Sequence, residues 1–300
     1  MSDVNPTEIY RRYERKELDK TAAVGYLKSI IEISTDDEMR VQSVEIFGKM
    51  DLGADETFEY FEHLLTSDES SYVRLESLKI IVRDFLDIGI EAIHHVIKHE
   101  KSVDNLLFLY RSLENINSAE SIKMLNEMEF NLGREYSIKF KIAPKEAMAL
   151  QLISLLTGLE AIHSHYWGDA SCVAIRSKKG KIIDLVIHDV RYSEIKCMDF
   201  FPDLEYLTIS STNLTEIKNL ESLTKLKYLD LYYNKITTIK GLNKLVNLEE
   251  LDLSYNPITN IEGLENLVKL KSVNFEECKL NYSIVEQYFQ KLNRKNIIIY

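Results

Sequence analysis

The sequence predicts two repetitive halves, an array of short α-helices followed by a solenoid. Three observations carry this. Residues 5 to about 132 place apolar side chains at helical spacing, interrupted by brief polar breaks. From Leu204 onward the chain repeats itself every 22 residues, which implies stacked units that each bury one face against the next. Between the halves, two apolar runs joined by Ser177-Lys178-Lys179-Gly180 have the signature of a hairpin.

Composition bounds the answer first. Three hundred residues at 45% hydrophobic content can bury a sizeable core in one long or two medium domains. A formal net charge of −11 argues against nucleic acid or an anionic membrane surface as partner. Cys172, Cys197 and Cys278 are odd in number and scattered, which fits reduced thiols in a cytosolic protein. The charged opening MSDVNPTEIYRRYERKELDK shows no secretory signal, and no run reaches the roughly 18 apolar residues of a membrane helix. The expected location is cytoplasmic.

Helices are expected near 6–16, 20–33, 37–50, 55–66, 71–86, 89–99, 102–115 and 118–132. Their start signals are Asn5-Pro6, Asp36-Asp37, Asp55, Ser70-Ser71 and Asn117-Ser118, with Gly53 and Gly89 in the breaks. Two of them align 34 residues apart, DDEMRVQSVEIFGKM around Arg40 and ESSYVRLESLKIIVRDF around Arg74. Leu106, Leu107, Leu109 and Tyr110 suggest a third, decayed copy. This form, an acid, then Met or Val, then Arg, then an apolar helix, resembles short HEAT-type repeats. The Trp, Gly-Tyr and Pro signature of tetratricopeptide repeats is missing.

Three segments are therefore expected: helical repeats over 1–132, a junction over 133–181, and the 22-residue repeats over 182–300. Ala143-Pro144 opens a junction helix that runs to Gly158, with Pro at its first turn. The runs CVAIR and KIIDLVI then make the hairpin, and helix and hairpin together cap the open end of the repeat core, with Trp167 packed there. At the far end SIVEQYFQKL is expected to be a capping helix from Ser283, and NIIIY a last strand.

In the repeats, apolar residues recur at slots 0, 3, 5, 10, 13, 16 and 19, counted from Leu204, Leu226, Leu248 and Leu270. A disguised copy starts at Ile182, with Leu185, Ile187, Tyr192, Ile195, Met198 and Phe201 in the same slots. The pattern resembles the leucine-rich repeat family, L-x-x-L-x-L-x-x-N-x-L, in the 22-residue form of internalins and phosphatase-regulatory subunits. The likeness covers about 120 of the 300 residues. It implies one short parallel strand per repeat on a concave face. It also implies that Asn234, Asn256 and Cys278, at the ninth position, tie down the turns between coils. Thr212 is a weaker substitute there, and Val190 cannot do the job, so the first coil should be irregular.

Alternation along those strands turns slots 2, 4, 6 and 7 to solvent on the concave side. These positions hold Asp184, Val186, His188 and Asp189, then Tyr206, Thr208, Ser210 and Ser211. Tyr228, Asp230, Tyr232 and Tyr233 follow, then Glu250, Asp252, Ser254 and Tyr255, and last Ser272, Asn274, Glu276 and Glu277. Seven of the twenty are acidic, five are tyrosine and none is Lys or Arg. Lys218, Lys225, Lys235, Lys240, Lys244 and Lys269 go instead to turns and the convex side. Asp230 and Asp252 share a slot on neighbouring strands, where like charges cost some tenths of a kcal/mol. A cationic partner would turn that cost into attraction, with the tyrosines supplying contact area.

No P-loop, dinucleotide or nucleophile-elbow motif occurs, nor any CxxC, and catalysis is not expected. His95 and His99, four apart on one helix with His94 beside them, could share a metal, and His163 and His165 alternate near the cap. A site needs three or four ligands, so a polar helix edge is the plainer reading. The expected function is a scaffold without cofactor, binding a basic or amphipathic protein segment on the concave face. By family analogy its partners include phosphatases and small GTPases. The alternative is a metal protein or enzyme built on these histidines.

Overall fold

The computed structural model describes residues 5–50, 54–163, 171–292 and 297–300. Gly53, His165 and Trp167, given roles above, lie outside the described residues, as does the side chain of His163. The chain divides into two compact units, Met1–Met128 and Glu129–Tyr300.

The first unit is helical: α1 (Pro6–Glu14), α2 (Lys20–Ile33), α3 (Asp37–Phe47), α4 (Ala54–Ser67), α5 (Ser71–Asp84), α6 (Ile90–His99) and α7 (Val103–Ile116). The start signals work through their side chains. Asn5 accepts the Glu8 N–H at 3.0 Å, and Asp36 accepts the Glu38 N–H at 2.9 Å, each satisfying an end donor that the helix leaves unpaired. Asp55 already lies inside α4, and Ser70 stands at the α5 boundary without a capping bond. α1, α2 and α3 pack on one another and α4 packs on α5, while α3, α5 and α7 pack in succession, as do α4 and α6.

Arg40 and Arg74 occupy equivalent places in that arrangement. Arg40 pairs with Asp68 at 2.5 Å and donates to the Ile31 carbonyl, while Arg74 makes a two-pronged pair with Glu100 at 2.8 and 2.9 Å. Burial opposes ionisation of Glu100, yet Arg74, the Ser102 N–H and Asn105 bring its pKa down to about 2. These arginines are inter-helix ties.

The helix expected to stop at residue 132 continues: α8 spans Ala119–Phe140 and enters the second unit. A Cβ on Gly133 would lie 2.7 Å from both the Pro144 carbonyl oxygen and the Met148 nitrogen of α9 (Pro144–Thr157). The missing side chain lets two helix backbones touch. That packing offsets the roughly 1 kcal/mol a mid-helix glycine costs.

The second unit is built on one sheet. After α9 come β1 (Ala161–His163), β2 (Cys172–Lys178), β3 (Lys181–His188), β4 (Tyr206–Ser210), β5 (Tyr228–Asp230), β6 (Glu250–Asp252) and β7 (Ser272–Asn274). α10 (Tyr282–Lys291) and β8 (Ile298–Ile299) end the chain. The strands stand in chain order and pair in parallel, except that β2 and β3 are antiparallel. Lys179 and Gly180, both at positive φ, close that hairpin. Glu146 of α9, buried, accepts the Ile182 N–H at 3.0 Å and pins the helix to the start of the repeats. α10 begins one residue before the expected Ser283, with Asn281 as its cap.

All seven apolar slots are buried in the four repeats that start at Ile182, Leu204, Leu226 and Leu248, and Leu270, Val273 and Phe275 are buried in the fifth, where Leu280 is half-buried, so the register holds from Ile182 to Phe275. In the first coil Val190, at the ninth position, is buried, and Tyr192 fills a leucine slot, its hydroxyl donating to Lys196 O at 2.7 Å and accepting the Lys196 N–H at 2.8 Å.

Candidate functional site

Opposite the leucine core, the strands lay out rows of side chains. Strand pairing sets Asp184, Tyr206, Tyr228, Glu250 and Ser272 side by side in one row. Val186, Thr208, Asp230, Asp252 and Asn274 form the next. The third row holds His188 and Ser210, paired at the ends of β3 and β4, and then Tyr232, Ser254 and Glu276 just beyond β5, β6 and β7. Asp189, Ser211, Tyr233, Tyr255 and Glu277 then hold φ between 48° and 56°. That left-handed turn swings Tyr233 and Tyr255 outward, and Tyr233 is 59% exposed. Tyr232, Tyr233 and Tyr255 form one aromatic cluster with ring centroids 5.3–6.2 Å apart.

Exposure does not follow the expected alternation everywhere. Val186, Thr208, Ser210 and Ser254 are buried. Val186 joins Cys172 and Ala174 of β2 in a small apolar cluster. Ser210 meets the His188 Nδ1 at 2.8 Å, and Ser254 donates to Asp252 at 2.5 Å. Short side chains sit below the level of their larger neighbours.

The face is also not free of cations. The hairpin strand β2 brings Arg176 to Asp184, 2.9 Å away, with its guanidinium 5.3 Å from the Tyr206 ring centre. Asp189 likewise accepts the Ser171 hydroxyl at 2.7 Å. The acidic, tyrosine-rich strip is therefore shorter than the sequence implies and is centred on β5, β6 and β7. There Glu250 of β6, and Glu276 and Glu277 in the turn after β7, are exposed, and among the described residues no cation pairs with them.

The aspartates of the middle row have a second task. Asp230 accepts the Tyr232 N–H at 2.8 Å, Asp252 the Ser254 N–H at 2.8 Å, and Asn274 the Glu276 N–H at 3.0 Å. Each side chain thus ends its strand by bonding the backbone two residues on. The like-charge cost of the Asp230–Asp252 pair is offset in part by those bonds. Asp252 is further held by Asn274 Nδ2 at 3.1 Å.

Burial first, and then the Asp252 charge, push the Asp230 pKa up to about 6, against the pull of the Tyr232 N–H. Burial and the Asp230 and Asp252 charges push the Tyr228 hydroxyl up as well. A carboxylate raised in the folded state stabilises the fold below its unfolded pKa, about 4, and loses that contribution as pH rises through about 6. Asp230→Asn keeps the acceptor and removes the charge. It is expected to raise stability at pH 7 by about 2 kcal/mol. It should also flatten the difference in stability between pH 4 and 6, read as urea midpoints of both proteins across that range.

At the β8 end of the strip a cavity of about 250 Å³ opens between Tyr228, Glu250, Leu251, Asp252, Ser272, Asn274 and the C-terminal Tyr300. Sequence reasoning missed Tyr300 and Arg176, which reach the face from outside the repeat pattern.

Two other lysines, Lys227 and Lys271, make a ladder of opposite charges one slot before the first row, with Lys225 further back on the same edge. Lys227 bonds Glu205 at 2.6 Å and Lys271 bonds Glu249, while Lys225 bonds Asp203. Of the histidines of the alternative reading, three are described. His94 pairs with Glu127 of α8 at 2.6 Å, and the His95 and His99 rings lie 4.6 Å apart. Among the described residues no three metal-ligating side chains converge.

Residues 202–284 match leucine-rich repeat models: the family described as "Leucine rich repeat" matches residues 202–258, and "Leucine Rich repeats (2 copies)" matches 246–284. Such repeats generally mediate protein–protein interaction. Among solved structures, an internalin (inlF) from Listeria monocytogenes is 31% identical over 39% of this chain and 33% of that one, with a TM-score of 0.34. A Leptospira interrogans leucine-rich repeat protein is 24% identical over 39% and 30%, TM-score 0.35. The Drosophila melanogaster SNF/U2A′ complex is matched at 22% over 38% and 70%, TM-score 0.34. The chain spans about a third of the length of the first two. No curated protein matches it. Among the described residues no helix is long and apolar enough to cross a membrane.

Proposed function

We propose that this protein is a non-catalytic scaffold that binds a basic or amphipathic protein segment on the acidic, tyrosine-rich face of β5, β6 and β7. One observation carries the reading. The same sheet neutralises Glu205 and Glu249 with lysines one strand away, yet leaves Glu250, Glu276 and Glu277 beside a cluster of exposed tyrosines. Rigid aromatic surface next to unneutralised carboxylates suits a cationic partner and steers its approach. The helical unit, read as HEAT-like repeats tied by Arg40 and Arg74, would offer a second docking surface.

The middle-row aspartates accept backbone bonds, so reversing them would disturb the turns. Glu250→Lys with Glu276→Lys reverses two exposed charges without that side effect, and stability is expected to shift by less than about 0.5 kcal/mol per site. Immobilised wild-type chain, cross-linked to captured protein, is expected to link through residues of β5 to β7. The double variant should lose that capture. Unchanged capture, or cross-links confined to other surfaces, would remove this face from the reading.

A further inference from the structure

The first row of the face is a palindrome. Across β3 to β6 it runs Asp184, Tyr206, Tyr228, Glu250, two carboxylate–tyrosine pairs back to back. The first pair receives the chain's own Arg176, which bonds Asp184 at 2.9 Å and lies 5.3 Å from the Tyr206 ring centre. The second pair, Tyr228 and Glu250, opens into the 250 Å³ cavity, and among the described residues no cation reaches it. Asp252 adds a second carboxylate to that cavity, and Tyr300 a second aromatic wall.

We propose that this cavity takes one arginine side chain of the partner segment, its guanidinium over Tyr228 and bonded to Glu250 and Asp252, as Arg176 is seated on Tyr206 and Asp184. The proposal rests on reading the face as the binding surface. Arginine fits better than lysine for a physical reason: its planar fork bonds two carboxylate oxygens at once while its flat face stacks on an aromatic ring. The cavity is below the roughly 300–1,000 Å³ of sites for drug-sized ligands, a size for a side chain and not a free cofactor.

The test titrates the full chain, carrying ¹³C-labelled tyrosine, with N-acetyl-Gly-Arg-Gly-amide and its lysine and citrulline counterparts. Tyr228→Phe and Tyr300→Phe assign the two signals. The arginine peptide is expected to shift both saturably and to bind at least about fivefold tighter than the lysine peptide, with no shift from citrulline. Glu250→Gln should weaken arginine binding by about fivefold or more, and Glu276→Gln, which removes the same charge from another row, should not. Equal weakening by both variants, or equal binding of arginine and lysine, would overturn the pocket and leave a diffusely acidic face. No shift of Tyr228 or Tyr300, with partner cross-links to β5–β7 intact, would overturn the pocket alone. Loss of those cross-links as well would remove the binding face with it.

Discussion

Asn234→Ala is expected to destabilise the repeat unit by about 4 kcal/mol, well above the usual single-substitution effect. The side chain is nearly buried and works in both directions. Its Oδ1 accepts the Thr212 N–H at 3.1 Å, the Thr212 hydroxyl at 2.9 Å and the Leu214 N–H at 3.0 Å. Its Nδ2 donates to the Ile209 carbonyl at 2.7 Å and the Leu231 carbonyl at 3.1 Å. Alanine orphans these groups together, at about 1–3 kcal/mol for each that finds no other partner. Asn256 repeats the arrangement one coil on, with Ile236 N–H and the Leu231 and Leu253 carbonyls. Cys278 fills the same place with a thiol, its Sγ donating to Leu253 O at 3.2 Å and facing the Asn256 and Ile258 N–H groups; sulfur is a weak donor and acceptor, so Cys278→Ala should cost about 1 kcal/mol or less. Urea unfolding followed by circular dichroism gives the ordering. A midpoint for Asn234→Ala no lower than for Cys278→Ala would show that the ladder is not what holds the coils.

That ladder was legible in sequence because it obeys the repeat: the same slot, every 22 residues, must meet the same carbonyls. The leucine slots were legible for the same reason, and all but Leu280 in the last, partial repeat are buried. Only half of the face could be read this way. Tyr228, Asp230, Tyr232, Glu250, Asp252, Tyr255 and Asn274 come together through register alone. Arg176 and Tyr300 arrive from the flanking hairpin and the chain end, where no period constrains them, and they change the charge and the walls of the site. The extension of α8 past residue 132 was hidden likewise, since Gly133 matters for a neighbouring helix and not for its own. The edge ladder of Glu205, Lys227, Glu249 and Lys271 also obeys the repeat, at the slot just before the first row, where acid and base alternate every 22 residues.

A second large effect is expected at a turn where the repeat changes residue. Slot 15 holds Cys197, Asn219, Gly241 and Gly263, all at positive φ, from 62° at Asn219 to 113° at Gly263. A Cβ on Gly241 would run into the Ile217 carbonyl oxygen of the previous coil, which belongs to the backbone and cannot turn aside. Gly241→Ala therefore combines a left-handed residue with a backbone clash, each of order 1–3 kcal/mol, for a total of about 4 kcal/mol. Asn219 shows how a side chain can live there: at φ 62°, its Nδ2 donates at 2.7 Å to the Ile195 carbonyl, the counterpart of Ile217 one coil earlier. Asparagine tolerates left-handed backbone and can convert the opposing oxygen from obstacle to acceptor. Gly241→Asn should thus cost at least about 1 kcal/mol less than Gly241→Ala, although it is the larger residue. Thermal unfolding of both variants decides it. If asparagine proves as costly as alanine, the coils are not interchangeable at this slot, and the spacing that sets β5 beside β6, and with it the Tyr228–Glu250 pair, depends on glycine there.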